Sequence, residues 1–211
     1  IDQNIIIKKY RNYSPSYWWK KTMAPSALIF YIGINKKIKN VKHHCLFFDK
    51  DFNNHFKEIY NTPRWPSDPL FYASFSSKTD PETAPKNHEN MVLLIPIAPG
   101  LEDNKLTRNK YFELIISRFE KITRQSIKNN IIYKRSYAIR DFKKDYNSFK
   151  GNAYGLANTL FQTAIFKPSI RNKKLKNLFF CGQLTIPGPG VPPAIISGGI
   201  VAKEVKKQIT S

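Results

Sequence analysis

Cysteine is scarce in this chain of 211 residues, which contains two, Cys45 and Cys181. They lie far apart in the sequence and outside any Cys/His cluster, so neither a disulfide framework nor a cysteine-based zinc site is indicated. The four histidines also lack the spacing of paired metal ligands. We therefore expect no bound metal, and the low cysteine content predicts a reducing, cytoplasmic setting.

Acidic residues are few as well. Fifteen Asp and Glu stand against 35 Lys and Arg, which gives a formal net charge of +20. Three interpretations are open: nucleic-acid binding, attraction to an anionic membrane, or a compositional bias toward lysine, asparagine and isoleucine. The basic residues are spread along the chain and no nucleic-acid-binding motif frames them, so we expect no nucleic-acid partner.

The remaining composition favours a globular fold, since 41% of the residues are hydrophobic and 14% are aromatic. A chain of this length can form one or two domains. Its longest uncharged stretch, residues 177–202, could span a bilayer by length alone. Prolines and glycines interrupt that stretch, so it predicts no transmembrane helix.

Apolar periodicity predicts a mixed α/β (α+β) fold with several strands and interspersed helices. The strands are expected at residues 26–34, 70–75, 91–97 and 131–139, the helices at 49–60 and 101–123, and a surface loop at 76–90. The first helix should bury Phe52, Phe56 and Ile59. The second helix should bury Tyr111, Leu114, Ile115, Phe119 and Ile122.

The C-terminal stretch, residues 177–202, is the most informative part of the chain. It predicts a short buried strand, a loop rich in glycine and proline, and a helix that opens on Pro192 and Pro193 without charge for three turns. Glycines allow a backbone to approach a ligand closely, and a helix start presents unpaired N–H groups and partial positive charge. An anion or an electron-rich carbonyl edge is the ligand this predicts. The alternative is a turn that only caps a core helix.

These residues also carry a family resemblance. Residues 177–202 resemble the C-terminal flavin-binding signature of the bacterial phytoene desaturase family, carotenoid-forming members of the amine-oxidase-like FAD flavoproteins. Four upstream blocks, residues 22–33, 77–81, 94–100 and 145–158, are similar to successive blocks of that family in the same order. The resemblance covers nearly the whole chain.

The resemblance implies an FAD-dependent oxidoreductase that dehydrogenates a phytoene-like polyene, peripherally bound to the inner face of the cell membrane. It implies that Gly182 and Gln183 lie near the pyrophosphate and ribityl chain of FAD. The helix start at Gly190, Val191 and Pro192 would then lie beneath the isoalloxazine ring, where partial positive charge stabilises the N1/C2=O edge. No catalytic carboxylate is marked, because Asp80, Glu82, Asp141 and Asp145 form no evident acid/base pair.

One expected feature of such flavoproteins is missing. They begin with a strand, a G-x-G-x-x-G turn and a helix, and the chain has no such glycine triplet. Together with a start that lacks methionine, this predicts the C-terminal part of a Rossmann-like FAD/NAD(P)-binding protein whose N-terminal half is missing. We expect residues 1–150 to be part of a substrate-binding domain with an antiparallel sheet. Residues 151–211 would return to the FAD-binding domain.

Several alternatives stay open from the sequence. A related flavoenzyme could carry the same residues, for example a carotenoid isomerase, a retinol-saturase-like enzyme or an amine oxidase. A non-catalytic basic module that binds membrane or nucleic acid is a different class. Within residues 147–158, Gly151, Tyr154 and Gly155 could contact substrate or flavin, or could form a plain loop-to-helix transition.

Overall fold

The computed structural model describes residues 4–210. Short 3₁₀ helices connect its strands and α-helices in many places. The strands are β1 (Ser26–Ile34), β2 (His44–Phe47), β3 (Phe71–Ser74), β4 (Glu89–Ile97) and β5 (Ile131–Tyr137). The α-helices are α1 (Pro15–Trp19), α2 (Phe52–Tyr60), α3 (Lys105–Thr123), α4 (Ile139–Tyr146) and α5 (Val191–Thr210).

The chain divides into two compact units. The sheet unit is Pro25–Gly151, and the terminal unit combines the segment that ends at Ala24 with the segment that begins at Asn152. The segment up to Ala24 thus groups with the C-terminal residues, whereas the predicted substrate domain over residues 1–150 included it. The roles predicted for the two parts stay predictions.

The sheet unit contains one antiparallel sheet with the strand order β2-β3-β4-β1-β5. The long strands β1 and β4 lie in its middle and pair over nine residues, from Ser26 opposite Ile97 to Ile34 opposite Glu89. The predicted combination of helices with an antiparallel sheet is therefore confirmed.

Alternating side chains explain why β1 and β4 are central. In β4 every second residue is buried, from Glu89 to Ile97, which is the period of a strand with one face toward a core. Helix α3 packs against this buried face of the sheet. The Phe112 ring of α3 contacts the Phe30 ring of β1 edge-on, with ring centroids 5.2 Å apart. The core residues of α3 are Tyr111, Phe112, Ile115, Ile116 and Phe119.

The predicted helix over residues 101–123 is confirmed over most of its length. It begins at Lys105 rather than residue 101, because the Asn104 side chain caps it by accepting the Thr107 N–H at 2.9 Å. The predicted burial of Ile122 was wrong, since 45% of this residue is exposed. Ile122 lies in the last turn of α3, which ends at Thr123.

The predicted strand over residues 131–139 ends two residues early. Strand β5 stops at Tyr137, and Ile139 is instead the first residue of α4. The Asp141 carboxylate accepts the Ala138 N–H at 2.8 Å, which fixes the helix start.

Helix α2 lies with a different face inward than predicted. Phe52 and Phe56 are 57% and 47% exposed, while His55, Glu58 and Ile59 are buried. The reason is hydrogen bonding: the His55 ring bonds to the Pro96 carbonyl at 2.8 Å, and the Glu58 carboxylate accepts the Ser67 N–H at 3.0 Å. These hydrogen-bonded polar groups hold this face of α2 against the rest of the sheet unit.

The terminal unit contains α1 and α5 with irregular segments between them. The short buried strand predicted before the loop was wrong, because Phe179 forms only an isolated bridge with Arg171. A strand needs a ladder of inter-strand bonds, and this segment has one paired neighbour. None of the helices within residues 4–210 combines the length and the apolar character that crossing a bilayer requires.

Candidate functional site

The glycine-rich loop before α5 has a backbone that other residues rarely adopt. Gly182, Gly188 and Gly190 have φ angles of +105°, +140° and +114°. A side chain at these positions would strain the backbone. A Cβ added to Gly182 would meet no atom within 4 Å, so open space lies beside it. The loop is therefore shaped by its glycines, as the sequence predicts.

A buried serine of α5 holds one end of this loop. Ser197 is fully buried, and its Oγ accepts the Gly182 N–H at 3.0 Å. The Thr185 hydroxyl lies 2.8 Å from the same Oγ and donates to the Gly182 carbonyl at 2.9 Å. These three residues form one hydrogen-bonded network that fixes the turn at Gln183 against the helix.

The other end of the loop leads into the first turn of α5. Val191 is 75% exposed and Pro192 is exposed as well. The two prolines have no N–H groups, so the helix start offers fewer unpaired donors than the sequence analysis expected. The Ala194 N–H already donates to the Gly190 carbonyl at 3.0 Å. Among the described residues, the Gly190 and Val191 amides donate to no acceptor.

All five residues predicted to contact the cofactor lie in the glycine-rich loop or in the first turn of α5 that follows it. Gly182 and Gln183 are at the end held by Ser197, and Gly190, Val191 and Pro192 are at the helix start. No residue of the set is buried in the core. Their contacts with a ligand stay predictions.

Lys167 belongs to the same region, and the sequence analysis missed it. Only 7% of the residue is exposed. In the part of the chain that the structure describes, its Nζ is buried without a hydrogen-bond partner. That Nζ would lie 3.4 Å from a Cβ built on Gly188, so it points at the glycine-rich loop. Burial lowers the pKa of Lys167 below its usual value. No local sequence pattern marks it among the 35 basic residues.

The segment around Gly151 and Gly155 forms fixed turns. In the sheet unit, a Cβ on Gly151 would lie 2.6 Å from Ile139. In the terminal unit, the Asn152 side chain accepts the Gly155 N–H at 2.6 Å, and the Gly155 carbonyl accepts the Ala24 N–H at 2.9 Å. The segment continues into short 3₁₀ helices at Leu160–Gln162 and Ala164–Phe166 rather than into an α-helix. A contact with substrate or flavin stays a prediction.

The carboxylates of the sheet unit have structural partners. Arg108 bonds to Asp103 through its Nε at 2.7 Å and lies 2.7 Å from Asp141 through its Nη2. Burial alone would raise the pKa of Asp103, but hydrogen bonds from Arg108 and from the Arg140 N–H hold it below its usual value. Asp145 accepts the Tyr137 hydroxyl at 2.9 Å. These contacts give Asp103, Asp141 and Asp145 structural partners, and the absence of a catalytic carboxylate stays a prediction.

The histidines are also engaged in local contacts. The His43 and His44 rings stack with centroids 4.1 Å apart, and His44 Nδ1 lies 2.5 Å from the Tyr72 hydroxyl. Within residues 4–210, no group of three or more His, Cys, Asp or Glu side chains is arranged to hold a metal ion.

The chain is similar in sequence to several known proteins. Carotenoid 3,4-desaturase of Haloarcula japonica is 39% identical over 199 residues, which cover 94% of this chain and 40% of that protein. In Staphylococcus haemolyticus, 4,4'-diapophytoene desaturase (4,4'-diaponeurosporene-forming) is 30% identical over 207 residues, covering 94% of this chain and 41% of the relative. The same species has a 4,4'-diaponeurosporene oxygenase that is 30% identical over 185 residues, covering 86% of this chain and 37% of the relative.

The chain spans about two fifths of the length of these curated relatives. The model of the flavin-containing amine oxidoreductase family matches residues 41–206. This match includes the sheet strands from β2 onward, Lys167 and the whole glycine-rich loop with most of α5. FAD is the cofactor that the family implies. The chain belongs to the flavin-containing amine oxidoreductase family.

Proposed function

We propose that this chain is the C-terminal part of an FAD-dependent carotenoid desaturase, which dehydrogenates a phytoene-like polyene and extends its conjugation. We refer to this longer protein as the full-length parent. The observation that carries the proposal is the glycine-rich loop, which Ser197 holds at Gly182 and which leaves the start of α5 exposed. The similarity to desaturases over nearly the whole chain supports the same conclusion.

The residues of the terminal unit fit one edge of a flavin. Gly182 has open space beside it, so a ligand can approach the backbone. Val191 and Gly190 supply free amide donors at a helix start, where the partial charge is positive. Gly182 and Gln183 would contact the pyrophosphate and ribityl chain, and Gly190, Val191 and Pro192 the ring. The Rossmann-like nucleotide-binding half would come from the rest of the full-length parent.

When bound, FAD accepts the two electrons released as a saturated pair of carbons loses two hydrogens and forms one C=C bond. The chain's residues would contribute orientation and electrostatics rather than a side-chain base. A C–H bond of a hydrocarbon offers little for a carboxylate to deprotonate, and the acidic residues of the sheet unit are already engaged in structural contacts. Reoxidation by oxygen or a quinone is implied by the family resemblance.

An oxygenase is the second candidate, because the desaturase and the oxygenase of Staphylococcus haemolyticus are equally similar to this chain, at 30% identity. Expression of the full-length parent in a phytoene-producing host distinguishes the two. A desaturase yields hydrocarbons with longer conjugation, which chromatography resolves by retention and absorption spectrum. Oxygenated products would favour the oxygenase. A shifted cis/trans ratio alone would favour an isomerase, and unchanged pigments would contradict every carotenoid function.

The helix start can be tested separately from the product. A carboxylate introduced by Pro192→Asp would repel an electron-rich ligand edge, so we expect weaker flavin retention or slower flavin reduction in the full-length parent. Pro15→Asp is a matched control, since Pro15 begins α1 in the same unit. Unchanged flavin spectra and turnover in Pro192→Asp would contradict the proposed contact.

We also propose that the protein binds the inner face of the cell membrane through an aromatic face on the sheet unit. This face consists of Phe48, Phe52, Phe56 and Tyr60. Successive ring centroids are 6.4, 6.3 and 4.8 Å apart, so the rings form a continuous row. Amphipathic aromatic helices of this kind favour the boundary between headgroups and acyl chains.

Charge favours an anionic lipid surface as the partner of this face. The chain carries a net charge of +20. Three acidic groups around α2 have cationic partners, since Asp49 pairs with Arg118, Asp68 with Lys50, and Glu58 with Arg64. The exposed Asp51 accepts the Asn53 N–H at the start of α2. These pairs reduce repulsion from an anionic surface, and the remaining basic residues attract it.

Vesicle sedimentation tests this membrane contact. The chain should sediment with vesicles that contain phosphatidylglycerol and much less with pure phosphatidylcholine, and salt should weaken the difference. Substituting both Phe52 and Phe56 by serine should reduce binding more than about a hundredfold, because burying two aromatic side chains in the lipid is worth about 3 kcal/mol or more. Leu106→Ser is the control, because Leu106 is an exposed apolar residue elsewhere in the sheet unit. Equal loss in both variants would contradict a specific role of the aromatic face.

A further inference from the structure

Lys167 lacks what a buried lysine normally has. In described residues 4–210 its Nζ has no acceptor within hydrogen-bond reach and no ion-pair partner. The residue is 7% exposed, so water does not replace that partner. A buried ammonium group without a counter-charge is unfavourable, and proteins retain one where it serves a ligand.

The Lys167 Nζ lies against the glycine-rich loop at Gly188. Gly188 is buried and has a φ of +140°. A Cβ there would lie 3.2 Å from Lys167 Cε and 3.4 Å from Nζ. Because glycine has no Cβ, the lysine head fits directly against the loop backbone. The loop therefore leaves room for the Lys167 ammonium group but does not neutralise its charge.

Other groups near this loop add positive character. Helix α5 has 20 residues and no acidic residue in its first turn, so no carboxylate offsets the positive end of its dipole. The Gly190 and Val191 amides donate to no acceptor among the described residues. Lys167 Nζ thus lies against Gly188, two residues before Gly190 in the same loop, and none of these donors has an acceptor among the described residues. This combination suits a ligand that supplies electron-rich oxygen atoms.

We propose that Lys167 is a ligand-binding residue whose ammonium group contacts an electron-rich oxygen edge at the start of α5. The inference rests on the proposed function, in which that edge belongs to FAD. Two parts of FAD have the required chemistry: the N1/C2=O side of the flavin ring and the pyrophosphate. In either case Lys167 stabilises negative charge on the ligand, and the ligand supplies the counter-charge that residues 4–210 do not.

The first experiment measures the chain without ligand. Lys167→Met keeps the aliphatic length and removes the unpaired ammonium, so we expect the melting temperature of the chain to rise by about 2–5 °C. Lys203→Met, at an exposed position of α5, should leave it unchanged. A fall in the melting temperature specific to Lys167→Met would mean that the lysine stabilises the fold itself, which would overturn the proposal.

The second experiment measures the flavin in the full-length parent. Sulfite adds through its lone pair to N5 of oxidised flavin, and the displaced electron pair comes to rest on the N1/C2=O edge. A cation near that edge favours the adduct, so Lys167→Met should weaken sulfite binding on the order of 10- to 100-fold, while Lys167→Arg should retain most of it. Bleaching of the flavin absorption band reports this without turnover.

ADP binding to the apoprotein distinguishes the two sources of oxygen. ADP carries the pyrophosphate without the ring, so a loss of ADP affinity with unchanged sulfite binding would assign Lys167 to the pyrophosphate. The reverse result would assign it to the ring edge. Unchanged sulfite and ADP affinities in a parent that binds flavin would overturn this inference alone. A parent that binds no flavin would overturn the proposed function as well.

Discussion

The network around Ser197 gives the sharpest test of how the glycine-rich loop is held. Ser197→Ala removes the acceptor of the Gly182 N–H, at 3.0 Å, and the partner of the Thr185 hydroxyl, at 2.8 Å. Each hydrogen bond contributes about 1 kcal/mol, and a buried donor left unsatisfied costs a further amount of about the same size. Alanine has a higher helix propensity than serine by about 0.5 kcal/mol. The expected net loss is about 2.5 kcal/mol of unfolding free energy.

Urea denaturation of the chain measures this loss, and hydrogen exchange locates it. The urea midpoint should fall without a change in slope, since the surface exposed on unfolding stays the same. Exchange of the Gly182 amide should become faster, while amides of β1 and β4 should be unaffected. A loss below about 0.5 kcal/mol would place Ser197 among ordinary surface substitutions and refute the reasoning.

A double-mutant cycle with Thr185 sharpens the same test. Thr185 bonds both to Ser197 and to the Gly182 carbonyl, so Thr185→Val and Ser197→Ala remove one shared contact. The double variant should therefore lose less stability than the sum of the two single variants, by about 1 kcal/mol. Strict additivity would mean that the three groups act independently.

Three further predictions concern other parts of the chain. The buried His55 ring accepts the Leu70 N–H, and burial lowers the pKa of His55. The free energy of unfolding should therefore be highest above the unfolded-state pKa of about 6.5 and decrease as the pH falls below it. His55→Gln should flatten this dependence of the urea midpoint and His88→Gln should not. Arg108→Met leaves the buried Asp103 carboxylate without its cationic partner and should lower the free energy of unfolding, measured by denaturation, by about 3 kcal/mol or more. The control Lys121→Met should change it little. Gly199→Ala should raise helix stability by about 1 kcal/mol, because an added Cβ meets no atom within 4 Å; a lower melting temperature would contradict this.

The central strands could be predicted from the sequence because their burial is encoded locally. The apolar run over residues 26–34 has the bounds of β1, and the alternation from Met91 onward continues two residues earlier into β4. Both strands lie in the middle of the sheet, where burial of the same side chains fixes both position and pairing. Hydrophobic pattern and tertiary structure agree there.

The edges of the sheet unit were less predictable. β2 was missed because only four residues, His44–Phe47, pair at the edge of the sheet and none of them is fully buried. Helix α2 was predicted with the wrong face inward because Phe52 and Phe56 are the more apolar residues. Hydrogen bonds of His55 and Glu58 decide the orientation instead, and their partners, Pro96 and Arg64, lie outside the helix.

The part of the candidate site that depends on glycine and proline could be predicted from the sequence. The part that depends on one charged residue, Lys167, could not. Gly182, Gly188 and Gly190 all have positive φ, which is the property that marks them in the sequence. Lys167 is one of 35 basic residues, and only its burial distinguishes it from the others. Burial of a long side chain is set by the fold of the terminal unit, so no local pattern reports it.

The chain spans about two fifths of the length of its relatives, so burial seen here holds for the full-length parent whereas exposure need not. Further polypeptide can cover a side chain but cannot expose one without refolding this part of the protein. Lys167 therefore stays desolvated in the full-length parent, where its partner is either a ligand oxygen or a carboxylate from elsewhere in the protein. A carboxylate partner would make Lys167→Met destabilising with or without flavin. A ligand oxygen would make it stabilising without flavin and would reduce the gain in melting temperature on flavin binding, so melting the parent in both states separates the two.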